Sequence, residues 1–286
     1  MTLYERLAAA REQLILAGIQ PVEAALDVDV YARTILKWDR ARLLLNHREP
    51  FPDRLEPQFS EWVERRAHFE PTAYIVGERE FWGLDFTVTP AVLIPRPETE
   101  LIVDEATALI RRRFVGESPR IADIGTGSGC IAVAIAHENP SSTLLLATDV
   151  SRQALMVARQ NARRHGVADR VRFVCTTYLD GVDAGFDIIA ANPPYVRDVD
   201  RRGLSPDVLQ EPHVALFGGD TGLHHIDAVL GTAARALRPG GWLIMEFGFG
   251  QEDDVRALAE QHAELLVHHT RADLQGLART VIIQRR

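Results

Sequence analysis

Apolar residues recur every three or four positions through "LYERLAAAREQLILAG" (3–18), and Gly18 stands where such a helix would close. The period continues through "VEAALDVDVYARTILKW", "DRARLLLNH" and "EPQFSEWVERRAHF". Residues 1–76 are therefore predicted to form a small all-α domain, and no polar cluster within it suggests chemistry. The pattern changes over 77–97. "REFWGLDFTVTPAVLIP" carries β-branched and aromatic residues around a turn-prone "WGLD", which predicts a β-hairpin linker. Pro95 and Pro97 exclude regular structure until a helix begins near Glu98.

From 98 to 286 helix-type and strand-type stretches alternate. The helix "LIVDEATALIRRRF" leads to the strand "RIADIG" and the helix "CIAVAIAHEN". The strand "TLLLATD", the helix "QALMVARQNARRHG" and the strands "VRFVC" and "FDIIAANPP" follow. After an irregular segment to about Gly222 come "HHIDAVLGTAARAL" (helix), "GWLIMEFG" (strand), "DDVRALAEQHA" (helix) and two closing strands. Such alternation predicts an α/β fold with a mostly parallel, doubly wound sheet. Ligands of such sheets bind beyond the carboxyl ends of the strands.

Composition narrows the class. Over 286 residues, 46% hydrophobic and 25% charged content are those of a soluble globular protein. The start lacks a signal-peptide layout and no run reaches membrane-spanning length, so a cytoplasmic protein without a membrane partner is expected. Cys130 and Cys175 lie far apart, and the ten histidines form no ligand motif, so no metal is implied. A net charge of -8 counts against life on phosphate backbones. The triplet Arg111, Arg112 and Arg113 reads better as cations at a helix's negative end than as a nucleic-acid patch.

Two stretches carry chemistry. In "ADIGTGSGC", Gly125, Gly127 and Gly129 lie directly between strand and helix, permitting a tight turn and close backbone approach to a ligand. The spacing is not that of the dinucleotide fingerprint, in which a helix N-terminus receives a pyrophosphate. It suits S-adenosylmethionine, which has no phosphate, and Asp123 would face its cationic end. Asp149, ending the next strand, would accept hydrogen bonds from both ribose hydroxyls; the alternative is an N-cap for the helix that follows.

The second stretch, "DIIAANPPYV", ends a buried strand on Asn192 and then stiffens the chain with Pro193 and Pro194. Asn192 is expected beside the glycine loop, at the methyl-donor end of the ligand. Its amide oxygen and the Pro193 carbonyl offer two acceptors, the second aimed by the proline that follows. Tyr195 offers a flat wall. Two fixed acceptors and a wall suit a planar, conjugated NH2, in either a side-chain amide or the exocyclic amine of a base.

The chain resembles the HemK/PrmC family of release-factor glutamine methyltransferases over nearly its whole length. The resemblance rests on "GEREFWG" (77–83), "LIPRPETE" (93–100), "DIGTGSG" (123–129), "NPPYV" (192–196), "EPHVALFGGDTGL" (211–223) and "EFGFGQ" (246–251). It implies a Rossmann-like class I S-adenosylmethionine-dependent methyltransferase sheet behind an all-α N-terminal domain. The implied activity is methylation of the side-chain N5 of glutamine in a Gly-Gly-Gln motif of peptide chain release factors, without direct nucleic-acid binding. Gly125, Thr126, Gly127, Ser128 and Gly129 would line the cofactor, with Asp149 on its ribose, Tyr178 flanking adenine and Asn192 at the methyl end. Asn192, Pro193, Pro194 and Tyr195 would hold the substrate, and the helical domain would help grip the release factor. Thr177 stands where many relatives have Asp, and Leu277 and Ala278 where polar residues are common, which bears on the adenine end and on an edge contact. The alternatives are a ribosomal-protein glutamine methyltransferase, an adenine N6-type nucleic-acid methyltransferase and a non-catalytic sensor of the same ligand. The segment 197–222 is expected to cover the site as a lid, with Gly218 and Gly219 as mobile points.

Overall fold

The computed structural model describes residues 1–140, 144–183 and 185–286. Thr143, the first residue of the strand predicted from "TLLLATD", lies outside them. The chain divides into two compact units, residues 1–77 with 205–210, and residues 78–204 with 211–286.

The first unit is helical: α1 (Leu3–Leu16), α2 (Pro21–Leu36), α3 (Arg40–Leu45), α4 (Glu56–Ala67) and α5 (Thr72–Val76). Thr2 and Glu5 form a reciprocal capping box on α1, and Pro21 opens α2 where no N–H is needed. Leu7, Leu14, Val28, Tyr31, Phe59 and Val63 fill the core. Arg66 is buried among them and bonds Asp27 at 2.7 Å, with Asp207 at 3.5 Å. Gln210 Nε2 donates to the His68 carbonyl at 3.0 Å. These bonds explain why residues 205–210, far along the chain, belong to this unit. Burying an arginine is costly unless its partners are in place, and here both flanking carboxylates are.

The second unit opens with a hairpin, β1 (Glu78–Phe81) and β2 (Leu84–Thr87). Its turn places Trp82 at φ 56° and Gly83 at φ 70°, the left-handed pair that two-residue hairpins favour. The hairpin is fastened to this unit: Phe81 and Phe86 are in its core, and the Thr87 N–H donates to Asn161 Oδ1 at 2.8 Å. After it come α6 (Glu100–Arg113), β3 (Arg120–Ile124), α7 (Cys130–Glu138), β4 (Leu144–Asp149), α8 (Arg152–Arg164), β5 (Val171–Cys175) and β6 (Phe186–Ala191). The chain continues through α9 (His213–Leu216), α10 (His224–Ala236), β7 (Leu237–Glu246), α11 (Glu252–Glu260), β8 (Leu265–Ala272) and β9 (Ala278–Arg285).

Among the described residues the sheet has seven strands, in the order β5-β4-β3-β6-β7-β9-β8. β9 is antiparallel to both β7 and β8, while the pairs from β5 to β7 are parallel. Apolar clusters cover both faces, which is why β6 is buried at every position. The chain winds outward from β3 to β5 and then returns to lay β6 on the other side of β3, so the switch point falls between β3 and β6. Asp123 pairs with Ala190 and Ile124 with Ala191, which sets the glycine loop and Asn192 side by side beyond the carboxyl edge. That is the adjacency the sequence predicts. Among the described residues no helix is long and apolar enough to cross a membrane.

Candidate active site

The glycine loop leaves β3 with Gly125, Gly127 and Gly129 at φ 70°, 53° and 83°. They do different work. A Cβ built on Gly125 or Gly127 enters open space, the space a ligand would take. One built on Gly129 would lie 3.0 Å from the Ala158 Cβ, so this glycine lets α7 start against α8. Asn161, fully buried on α8, donates to the Ser128 carbonyl at 2.8 Å and ties the loop to the hairpin.

Asp123 departs from its expected place. It does not line the cavity at all but lies fully buried behind the loop. Its Oδ2 accepts from Thr126 Oγ1 at 2.6 Å and from the Ala132 N–H at 3.2 Å. Burial pushes its pKa up to about 7 against those two bonds. The strand alternation puts this side chain on the same face as Ile121, under the start of α7, where it braces the turn from behind.

Beside the loop lies a cavity of about 160 Å³, lined by Gly125, Gly127, Asp149, Tyr178, Asn192 and Pro193 among others. Asp149 Oδ2 accepts from the Gly127 N–H at 2.9 Å and Oδ1 from the Ser151 N–H at 2.8 Å. Each oxygen keeps acceptor capacity for a hydroxyl. The N-cap of α8 is Ser151, whose Oγ accepts from the Ala154 N–H, so Asp149 is not needed for that. Tyr178 is held at φ 49°, with its carbonyl accepting from Thr148 Oγ1 at 2.7 Å and its hydroxyl 2.8 Å from His225 Nδ1. Thr177 also lines this end. Thr126 and Ser128 instead line a smaller neighbouring cavity with Pro95, Arg96, Thr99 and Asn192. An open glycine cradle facing a carboxylate with spare acceptor capacity fits an adenosyl ligand.

Asn192 stands where these cavities meet a third, lined by Pro193, Pro194, Tyr195, Arg96 and Leu93. Its Nδ2 donates to Thr99 Oγ1 at 3.0 Å. Thr99 in turn donates to Glu246 Oε2 at 2.7 Å, and the Tyr195 hydroxyl donates to Glu246 Oε1 at 3.0 Å. Thr99 stands at the N-cap of α6 and Glu246 ends β7, and both are buried. Burial, the largest cause, pushes the Glu246 carboxyl up to about 7, while the two hydroxyl donors pull the other way. Burial and the adjoining carboxylate push the Tyr195 phenol well above its ordinary range. The Tyr195 hydroxyl thus ties the residues after β6 to the end of β7.

Sequence reasoning assigned no role in the site to Thr99, Glu246 or Glu211. Glu211 accepts from the Ile94 N–H at 2.9 Å and from Arg96 at 2.5 Å, bracing the "IPRP" turn. The only advance signal was that all three lie in the "IPRPETE", "EFGFGQ" and "EPHVALFGG" stretches. The segment 197–222 also differs from expectation at Gly218. A Cβ there would sit 2.6 Å from the Pro194 carbonyl oxygen, and the Gly218 N–H donates to the Val196 carbonyl at 2.8 Å. That glycine permits close backbone packing behind Asn192, which is the opposite of a mobile point.

Comparison with known proteins agrees with this geometry. Residues 5–77 match the family described as "PrmC N-terminal domain", and residues 99–247 the one described as "Methyltransferase small domain". The chain is 39% identical over 267 residues to a release factor glutamine methyltransferase of Bradyrhizobium diazoefficiens, covering 93% of this chain and 90% of that one. It is 38% identical to one of Moorella thermoacetica, covering 100% of this chain and 99% of that one. Among solved structures, a methyltransferase from Pyrococcus furiosus aligns with a TM-score of 0.52 at 20% identity, covering 71% of this chain and 89% of that one. The hMettl16 catalytic domain in complex with a 3′UTR hairpin aligns at 0.57 with 15% identity, covering 88% and 90%. These likenesses establish the fold, not the substrate.

Proposed function

Because the chain belongs to the release factor glutamine methyltransferase family, we propose that it methylates the side-chain N5 of the glutamine in the Gly-Gly-Gln motif of peptide chain release factors. It is an S-adenosylmethionine-dependent protein-glutamine N-methyltransferase. The observation that carries the finer reading is the oriented amide of Asn192, standing at the junction of the glycine-loop cavity and the "NPPY" niche.

S-adenosylmethionine, when bound, supplies an electrophilic methyl group on a sulfonium. Gly125 and Gly127 would leave room for it, Asp149 would accept from its ribose, and Tyr178 would flank its adenine. The chain's own task is then to present a poor nucleophile. An amide nitrogen is weak because its lone pair is delocalised into the carbonyl. Asn192 Oδ1 and the Pro193 carbonyl accept the two hydrogens of the substrate NH2, which fixes its plane and turns the lone pair toward the methyl. Those bonds strengthen as the nitrogen becomes positive, so they favour the transition state over the ground state. No base is required before transfer, because the proton leaves only after the nitrogen has become a strong acid. The helical unit contributes to gripping the release factor.

The test is transfer of isotopically labelled methyl to a purified release factor, with the modified peptide read by mass spectrometry. Label is expected on the Gly-Gly-Gln glutamine, with Asn192→Ala lowering the rate on the order of 10²–10³-fold, as loss of a transition-state contact does. Label elsewhere on the factor, or only on nucleic acid, overturns the proposal.

A further inference from the structure

Asn192, Thr99 and Glu246 form a chain of hydrogen bonds with a direction. Two of them are ambiguous by nature, since a threonine hydroxyl both donates and accepts, and an amide presents either its nitrogen or its oxygen. The carboxylate of Glu246 is not ambiguous, because when ionised it only accepts. It receives hydrogens from Tyr195 and from Thr99. Thr99 has one hydrogen, and that hydrogen is committed to Glu246. The oxygen of Thr99 is then left to accept, and what reaches it is Asn192 Nδ2. The other branch of the amide, Oδ1, is thereby left for the acceptor nitrogen of a substrate. Thr99 is 2% and Glu246 1% exposed, so water does not compete for these bonds.

We propose that Glu246 is a positioning residue that fixes, through Thr99, which end of the Asn192 amide faces the substrate nitrogen. The proposal rests on Asn192 being the holder of the substrate amide. A protonated Glu246 has a hydrogen of its own to give. Donated to the Thr99 oxygen, it releases the Thr99 hydrogen toward Asn192 and turns the amide over. The Asn192 NH2 would then meet the substrate NH2, donor against donor, and the clamp would be lost. The groups facing Glu246 are Tyr195 beyond β6, Glu98 ahead of α6, Arg279 on β9 and the Cys130 thiol at the head of α7. Burial places the Glu246 transition near pH 7, and the ionised form is the competent one. Methyl transfer therefore declines as pH falls through that value.

The test has two arms. In the free protein, the Asn192 side-chain amide signals are followed by nitrogen-15 NMR across pH 5.5–8.5, beside the carboxyl carbon of Glu246. The two are expected to titrate with one midpoint, and the amide signal to stay flat in Glu246→Gln and Thr99→Val. An Asn192 signal that ignores the titration of Glu246 overturns the proposal, whatever the enzyme methylates. In the second arm, single-turnover transfer is measured against pH. Glu246→Gln and Thr99→Val are expected to lose on the order of 10–100-fold in rate with cofactor affinity kept, and to lose the acid limb. Thr99→Ser, which keeps the hydroxyl, should recover most of the rate lost in Thr99→Val. Full rate and an intact acid limb in Glu246→Gln would refute the relay. Absence of wild-type label on glutamine would instead refute the substrate reading, leaving the NMR arm to decide the relay.

Discussion

Asp123 and Glu246 are two buried carboxylates, one behind each half of the site, and burial pushes both up to about 7. Each accepts two hydrogen bonds, yet they do different things. The donors to Asp123 are Thr126 and Ala132, three and nine residues away, so this carboxylate shapes one turn of chain. The donors to Glu246 are Thr99 and Tyr195, 147 and 51 residues away, so it joins distant segments and leads, through Thr99, to the amide proposed to hold the substrate. On the proposed reading, the cofactor half relies on backbone geometry held by a local brace, and the acceptor half on one amide turned the right way by a directional network.

Removing each carboxylate is the strongest way to break this contrast. Asp123→Ala removes the acceptor of two buried hydrogen bonds and should loosen the glycine loop; if about 1.5–3 kcal/mol of that loss, the worth of one such bond, reaches the ligand, S-adenosylmethionine binding weakens by roughly ten- to a hundredfold. Glu246→Ala should leave that affinity nearly intact and depress the transfer step. Calorimetric titration of cofactor and single-turnover rates read the two effects separately. If both variants lose affinity and rate together, the two halves are one cooperative unit and the distinction fails.

Stability offers a second way to sharpen it. Both carboxyls have folded pKa values raised above their ordinary ones of 3.8 and 4.5. Between about pH 4.5 and 7 the native state holds protons that the unfolded chain has released, so the contribution of these groups to stability falls as pH rises through that window. Neutral replacements escape this cost. Relative to wild type, Glu246→Gln should gain stability from pH 5.5 to pH 8, by a few kcal/mol at most, while it loses activity. Asp123→Asn should show the same stability trend with a loss of cofactor affinity instead. Urea midpoints at the two pH values check the sign, and a Gln variant whose relative stability stays flat from pH 5.5 to pH 8 would show that Glu246 is ionised across the window.

What could be read in advance follows the same division. The glycine loop, Asp149 and "NPPY" lie at strand ends, so spacing alone put them beside the same cavities. Asp123 sits near such an end, but which face it takes and how it is buried follow from the packing of α7 on β3, which the run of residues does not show. Thr99 and Glu246 lie in stretches that marked the family, yet their roles exist only once β7 and the start of α6 have been folded past β6. The helices α5 and α9, of five and four residues, are too short to show a period. Residues 205–210 join the helical unit through Arg66 and His68, pairings between remote positions that no local pattern announces.

The smallest effect tests whether the cofactor half is as separable as this division claims. Tyr178 is a non-glycine residue at φ 49°, a conformation that must be held by its surroundings. Its ring lines the cavity, and its hydroxyl lies 2.8 Å from His225 Nδ1. Burial and the neighbouring His224 push the His225 pKa down, so at neutral pH its imidazole is uncharged and Nδ1 can accept from the phenol. Tyr178→Phe keeps the ring and removes that bond, a loss of about 0.5–1.5 kcal/mol. Affinity for S-adenosylmethionine should fall a few-fold, with the transfer rate at saturating cofactor unchanged. An unchanged affinity would mean that the ring alone serves the ligand. A slower transfer step would be the more damaging result, since it would carry a disturbance at the adenine end through to the orientation of the acceptor amide.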